Sequence, residues 1–569
     1  MCIVSREKLC KTGTVRLKKT INNPQRLMLS VLAAVVVGVN SPSVKSAEIN
    51  IQEITIPEIE KALESGVYTS EQLTTVFLAR IEQFNPYYNA FTSMNSKALD
   101  DAREIDRRRN AGEKLGPLAG VPVVVKDTMD MAGLPSTAGY APLSSRAGGF
   151  DLIPEKDSAV VQRLRAAGAI ILAKTNVPVF SGNPANANDS WAGATYNALN
   201  RSWSPGGSSA GTGTAVAANF AVVGLAEETG GSIQNPAGAQ SVVGIKPTFG
   251  LVPNSGVIPQ AGSTRDVIGP IARNVRDAAM TLDVLAGYTL EDPKTTAAFG
   301  NIPQRGYTSG LKVGALKGKR IGLLGPGWST TFGHLSPATN AEYHQAIAQL
   351  ESLGAIAVAD PFVGSGFVDL APADGSYDPR GSEAHAYDFD RYLKKLGKSA
   401  AVHSLEELQD KLGLNLFEKG GPLDYYTDQL AVLRKTYKTP ATAPDLSGFG
   451  QLREDYLRVF NHVMDENNLD ALVFPQMVDP VGDLYESFID ATTSSAINIA
   501  GIPGVVVPSG AYPQGQPFSL IFVGRMWSEG QLLAYAYDYE QRVKGRLVPA
   551  PLETTPGPTP PAQPLGAGL

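Results

Sequence analysis

Apolar residues along this chain change their spacing from one segment to the next, and the changes mark out elements. From Ile56 to Phe91 they fall at helical intervals: Pro57 opens a first helix, Gly66 stops it, and Thr69-Ser-Glu-Gln begins a second whose Leu73, Val76, Phe77 and Ile81 share a face. Pro86 is the expected end of that helix. Further on the pattern becomes short, almost continuous apolar runs, as in Gly120-Val-Pro-Val-Val-Val and Ile170-Ile-Leu-Ala-Lys174, the signature of strands covered on both faces. Asp157 to Ala167, stopped by Gly168, reads as a helix feeding the second of these runs. Ala278 to Leu285 is another helix. Lys319 to Leu324, Asn340 to Leu353 and Ala355 to Ala359 read as one β-α-β unit. Helix followed by buried strand is the grammar of α/β layers. Gly325-Pro-Gly-Trp328 lacks the lysine and spacing of a phosphate loop and reads as a tight turn.

One polar, glycine-dense stretch breaks this grammar. Ser204-Pro-Gly-Gly-Ser-Ser-Ala-Gly211 and Glu228-Thr-Gly-Gly-Ser-Ile-Gln-Asn-Pro236 bracket an apolar run, Ala215 to Ala226, that predicts a small-residue helix followed by a short strand. Both polar ends then meet in space. Glycine pairs such as Gly206-Gly207 and Gly230-Gly231 let the backbone take positive φ and approach a ligand closely. With Thr229 before them, the amides of Gly230, Gly231 and Ser232 can face one concavity and hold a developing oxyanion, with Ser232 as nucleophile.

A nucleophilic serine needs a proton acceptor. The histidines, His334, His344, His385, His403 and His462, all lie far downstream in weakly patterned sequence. Upstream, Lys126 ends the Gly120-Val-Pro-Val-Val-Val run, where burial lowers a lysine's pKa toward a neutral amine that can act as base. The plainer alternative is a lysine reaching out at a strand end, or pairing with Asp127 or Asp130.

Composition narrows the function classes. Residues 1–26 are strongly basic, and Leu27 to Val39 is apolar apart from Ser30 and Gly38, which is short for a membrane span and fits a signal peptide. Residues 1–46 are therefore expected to form a leader, cleaved or retained as an anchor, and the protein to be secreted or periplasmic. Both cysteines, Cys2 and Cys10, lie inside this leader, which leaves the remaining chain without thiol catalysis, disulfides or thiolate metal sites. Removing the leader takes away eight basic side chains and one acidic one, and moves the formal charge from -6 to -13. That balance argues against nucleic acid as a partner. The proline-rich segment 549–569 reads as an extension without chemistry.

The order of motifs carries a resemblance. Gly116-Pro-Leu-Ala-Gly-Val-Pro-Val-Val-Val-Lys-Asp through Gly139, Ala173-Lys-Thr-Asn176, Pro205-Gly-Gly-Ser-Ser-Ala-Gly211, Gly230-Gly-Ser-Ile233 and Gly244-Ile-Lys-Pro-Thr-Phe-Gly250 together resemble the amidase signature family. The likeness extends from about Ile56 to about Gln541, through Asn498-Ile-Ala-Gly-Ile-Pro-Gly and beyond. Length alone suggests several domains. The resemblance implies instead one α/β body over residues 47–548: a single large mixed β-sheet covered by helices on both faces.

It also implies an amide hydrolase with a Ser-Ser-Lys triad: Ser232 as nucleophile, Ser208 as a bridging serine in a cis peptide, Lys126 as base, and an oxyanion hole from Thr229, Gly230, Gly231 and Ser232. Ser209 is a supporting neighbour. No cofactor or metal and no obligate protein partner is implied, and the substrate is a peptide amide or a small acyl or aryl amide. Glu227-Glu228 stands where the family usually has an aspartate preceded by threonine or serine, and Gln234 where it often has arginine, so a neighbouring charge is expected to be missing. Residues 362–450 match least well and are expected to form substrate-covering loops, with Tyr387, Phe389, Tyr392, Tyr425 and Tyr426 as candidates for the pocket wall. Two other readings stand beside this one. Gly207-Ser-Ser-Ala-Gly211 formally fits an esterase elbow with Ser209 as nucleophile, and an inactive binding protein could keep the same fold.

Overall fold

The computed structural model describes residues 49–329, 334–370, 375–425 and 430–550. The expected leader and most of the proline-rich tail lie outside the described residues. Eleven strands form one sheet: β1 (Phe91–Met94), β2 (Pro122–Lys126), β3 (Ile170–Thr175), β4 (Val223–Glu228), β5 (Val243–Lys246), β6 (Val267–Ala272), β7 (Arg320–Leu323), β8 (Ile356–Val358), β9 (Ala471–Pro475), β10 (Gly504–Ala511) and β11 (Pro517–Val523). Their spatial order is β1-β3-β2-β4-β6-β5-β10-β11-β9-β7-β8. β2 runs parallel to both β3 and β4, and β7 runs parallel to β8 and β9. The pairs between those two parallel groups are antiparallel.

Burial explains why the apolar runs are strands. Every residue of β2, β3, β4 and β11 is buried, so each carries apolar side chains on both faces, as a sheet sandwiched by helices requires. Lys319 to Ala359 is a β-α-β unit as expected, with helix Pro337–Ser352 joining β7 to parallel β8. Ser336 caps that helix by accepting from the Thr339 amide at 3.1 Å. Gly325 to Trp328 is a turn, tied back by the Gly327 amide on Asp360 at 3.2 Å.

One expectation is corrected. Pro86 does not end the second helix, which runs from Ser70 to Tyr88. Proline removes a single N–H from the ladder there, and Asn89, at φ 51°, ends the helix with its amide on the Asn85 carbonyl at 2.6 Å. Among its described residues, segment 362–450 combines loops and turns with short helices. It holds helices His385–Leu393, Leu405–Leu412 and Ala431–Tyr437 over an apolar cluster that includes Phe180, Ile258, Phe389, Leu393, Leu405, Leu408 and Leu433. Ser404 caps the second of these helices on the Glu407 amide and Gly413 stops it at φ 64°. Among the described residues no helix is long and apolar enough to cross a membrane.

Candidate active site

The parallel pairing of β2 with β4 brings two distant segments together. Lys126 is the last residue of β2, and β4 ends in Glu227 and Glu228 beside it. The Ser208-Ser209 turn leads into helix Ala210–Ala217, which packs on β2, β3 and β4. That helix lies very close to the loop after β3. A Cβ on Gly211 would fall 2.4 Å from the Asn176 amide nitrogen and from the Ala90 carbonyl oxygen, so only glycine fits.

Lys126 Nζ donates to Ser208 Oγ at 2.8 Å, with the Glu227 carbonyl at 3.3 Å and the Glu227 carboxylate at 3.6 Å. The Gly207–Ser208 peptide is cis. Lys126 is 1% exposed. Burial pushes its pKa below the usual lysine value, opposed by the carboxylates of Glu227 and Asp266. Lys126 pairs with neither Asp127 nor Asp130. Lys174 sits 3.3 Å from the Asp127 carboxylate, while Asp130 accepts from Ser136 at 2.7 Å and from Tyr392 at 2.8 Å.

The loop after β4 is held from both sides. Thr229 Oγ1 donates to Asp266 at 2.5 Å, and Asp266 also accepts the Gln260 and Ala261 amides. Glu228 accepts the Ile233 amide at 2.8 Å, the Gln234 amide at 3.1 Å, the Gln234 side-chain amide, and Asn498 Nδ2 at 2.8 Å. Gln234 also accepts from Thr493 at 2.6 Å. Between these anchors the amides of Gly230, Gly231 and Ser232 donate no hydrogen bond among the described residues. Three free N–H groups on one fixed turn can hold a developing negative charge.

Ser232 is 8% exposed, and its hydroxyl has no hydrogen-bond partner among the described residues. The expected link from Ser232 to Ser208 is not made in this resting arrangement; such bonds commonly tighten only when substrate is bound. Gly231 sits at φ 120°, where a Cβ would press on the Asn235 side chain at 3.1 Å. Gly231→Ala is expected to cost about 1 to 3 kcal/mol of stability and to lower kcat about a hundredfold by turning the amides, read by thermal denaturation beside steady-state rates.

Ser209 lacks the setting of an elbow nucleophile: it is fully buried, its hydroxyl donates to the Glu227 carbonyl at 3.2 Å, and no strand leads directly into it. Of the aromatic candidates, Tyr387 and Tyr392 line a cavity of about 720 Å³, whereas Phe389 belongs to the apolar cluster of the covering helices and Tyr425 packs beside it. Tyr426 lies outside the described residues. Sequence reasoning missed Thr128, Asp266 and Asn498, and gave Glu227 and Glu228 no role. The acidic doublet was the only signal.

Residues 72–533 match the family model described as Amidase. A probable amidase of Arabidopsis thaliana is 31% identical over 532 residues, 92% of this chain and 96% of that one. A glutamyl-tRNA(Gln) amidotransferase subunit of Microcystis aeruginosa is 32% identical over 506 residues, 86% of this chain and 97% of that one. The native peptide amidase of Stenotrophomonas maltophilia superposes with a TM-score of 0.68 at 31% identity, covering 88% of this chain and 98% of that one. The family match over most of the chain and the eleven-stranded mixed sheet together identify the chain as a member of the amidase signature family, a hydrolase of C–N bonds.

Proposed function

We propose that the chain is a stand-alone amidase that cleaves a carboxamide through an acyl-enzyme on Ser232. The observation that carries this reading is the 2.8 Å contact from Lys126 Nζ to Ser208 Oγ, deep beside the turn that bears Ser232. The Ser232 proton passes through the Ser208 hydroxyl to the neutral Lys126 amine as Oγ attacks the carbonyl carbon. The unpaired amides of Gly230, Gly231 and Ser232, with Thr229 before them, receive the carbonyl oxygen's charge. Lys126 returns the proton through Ser208 to the departing nitrogen and the C–N bond breaks. Water then attacks the ester, its proton taking the same route, and the acid leaves with Ser232 restored.

For substrate, we favour the amide of a peptide carboxyl terminus or a small acyl or aryl amide. Likeness to a peptide amidase over nearly the whole of both chains supports it. The expected leader and the formal charge of -13 without it support an exported enzyme working without tRNA and without the partner chains of an amidotransferase. The test is release of ammonia or amine from a C-terminally amidated peptide, an aryl anilide and a long-chain acyl amide. The amidated peptide is expected to give the highest kcat/KM, and silence across all three would overturn the reading in favour of a binding protein.

A further inference from the structure

Glu227 is a buried carboxylate beside a buried amine. It projects from β4 toward β2, with Oε2 accepting from Thr128 Oγ1 at 2.7 Å and lying 3.6 Å from Lys126 Nζ. Its other oxygen, Oε1, has no hydrogen-bond partner among the described residues. A carboxylate costs several kcal/mol to bury unless it is paired, so a site that keeps one is using its charge or its proton.

We propose that Glu227 is a positioning residue for the base: braced by Thr128, its carboxylate holds the Lys126 amine over Ser208 and fixes the pH below which that amine stays protonated. This inference rests on the reading of Lys126 as the base. Among the described residues the amine's polar contacts are Ser208 and, through both carbonyl and carboxylate, Glu227. When Lys126 takes the nucleophile's proton it becomes an ammonium in a dry interior, and the facing carboxylate offsets that charge. The same carboxylate stabilises the ammonium in the resting enzyme, so it can only raise the pH at which the lysine becomes neutral.

Glu227 also forms part of the wall of the 720 Å³ cavity, whereas Lys126, Ser208 and Ser232 do not. Other charged groups whose field reaches the Lys126–Glu227 pair include Asp266, entering β6, and Glu228, which turns the other way on β4. Asp130, Asp388 and Lys294 line the cavity. Burial pushes Glu227 up to about 7, against the attraction of Lys126, and pushes Asp130 and Asp388 up to about 6. The last two are untouched in the variants below, so a difference between proteins isolates Glu227.

The experiment uses no substrate. The rate of covalent labelling of the full chain by a fluorophosphonate, in which Ser232 Oγ bonds to phosphorus and fluoride leaves, is followed from pH 5 to pH 9 for the parent, Glu227→Gln, Thr128→Val and Ser232→Ala. Glu227→Gln is expected to move the acid limb to lower pH by about one unit and to lower the plateau about tenfold. Thr128→Val, which removes the brace and leaves the carboxylate, is expected to move the limb the same way by less. A Glu227→Gln limb coincident with the parent's, with or without a lower plateau, would overturn the inference. So would an unmoved limb in Thr128→Val if Glu227→Gln fails to fold by circular dichroism. Labelling of Ser232→Ala at the parent rate, or no labelling of the parent, would instead overturn the Ser232 reading itself.

Discussion

Ser232→Ala is expected to lower amide hydrolysis by about ten-thousand-fold or more and to leave stability within about 1 kcal/mol of the parent. The rate loss follows from the role proposed for Ser232 Oγ, the atom that bonds to the carbonyl carbon. The small stability change follows from the structure around it. The hydroxyl makes no hydrogen bond among the described residues, so its removal strands no buried partner. Thr229 on Asp266 and Glu228 on the Ile233 and Gln234 amides still fix the turn. Steady-state rates and a melting curve on one preparation check both halves, and a rate loss accompanied by unfolding would refute the account of the turn.

Lys126→Met is expected to cost a thousandfold or more in rate, because a methionine fills the volume without accepting a proton. Unlike the serine variant, it also changes stability, and the change depends on pH. Ser208 loses its 2.8 Å donor and Glu227 its counter-charge. Burial already holds the Glu227 pKa up at about 7 beside the lysine, and without the lysine it rises further. An acid whose folded pKa is raised stabilises the fold below its unfolded value, and that contribution is lost as pH rises through the folded one. The variant therefore melts close to the parent at pH 5.5 and falls progressively below it toward pH 8.5. A parallel pair of melting-versus-pH curves would contradict this.

The chain's pattern made some of this architecture readable and hid the rest for physical reasons. Fully buried strands announce themselves as unbroken apolar runs, which is why β2, β3 and the helix-then-strand read from Ala215 to Ala226 were legible, although the helix begins at Ala210 and the strand runs to Glu228. Lys126, Ser208 and Ser232 could be named because motif order placed them, and the structure brings Lys126 and Ser208 into contact. The directions of Glu227 and Glu228 were not legible. Adjacent residues on a strand point to opposite faces, and a doublet does not say which faces which. Glu227 turns to Lys126 and Thr128, while Glu228 turns to the Gln234 side and Asn498. The helices over the site were obscured by their brevity: His385–Leu393 and Leu405–Leu412 are each too short for a periodicity that stands out from loop sequence.

β5 pairs with β6 on one side and β10 on the other, Val505 lying opposite Ile245. During synthesis the first of these partners follows β5 almost at once, but residues 504–511 emerge about 260 residues later, roughly 13 to 50 s at ordinary ribosomal rates. Throughout that interval β5 presents an open edge of backbone donors and acceptors, next to a half-sheet already able to form from β1 to β6. A chain that folded as it emerged would hold its first half-sheet with one edge unpaired until β10 arrived. Cover for that edge until β10 arrives is what this strand order asks of the folding chain.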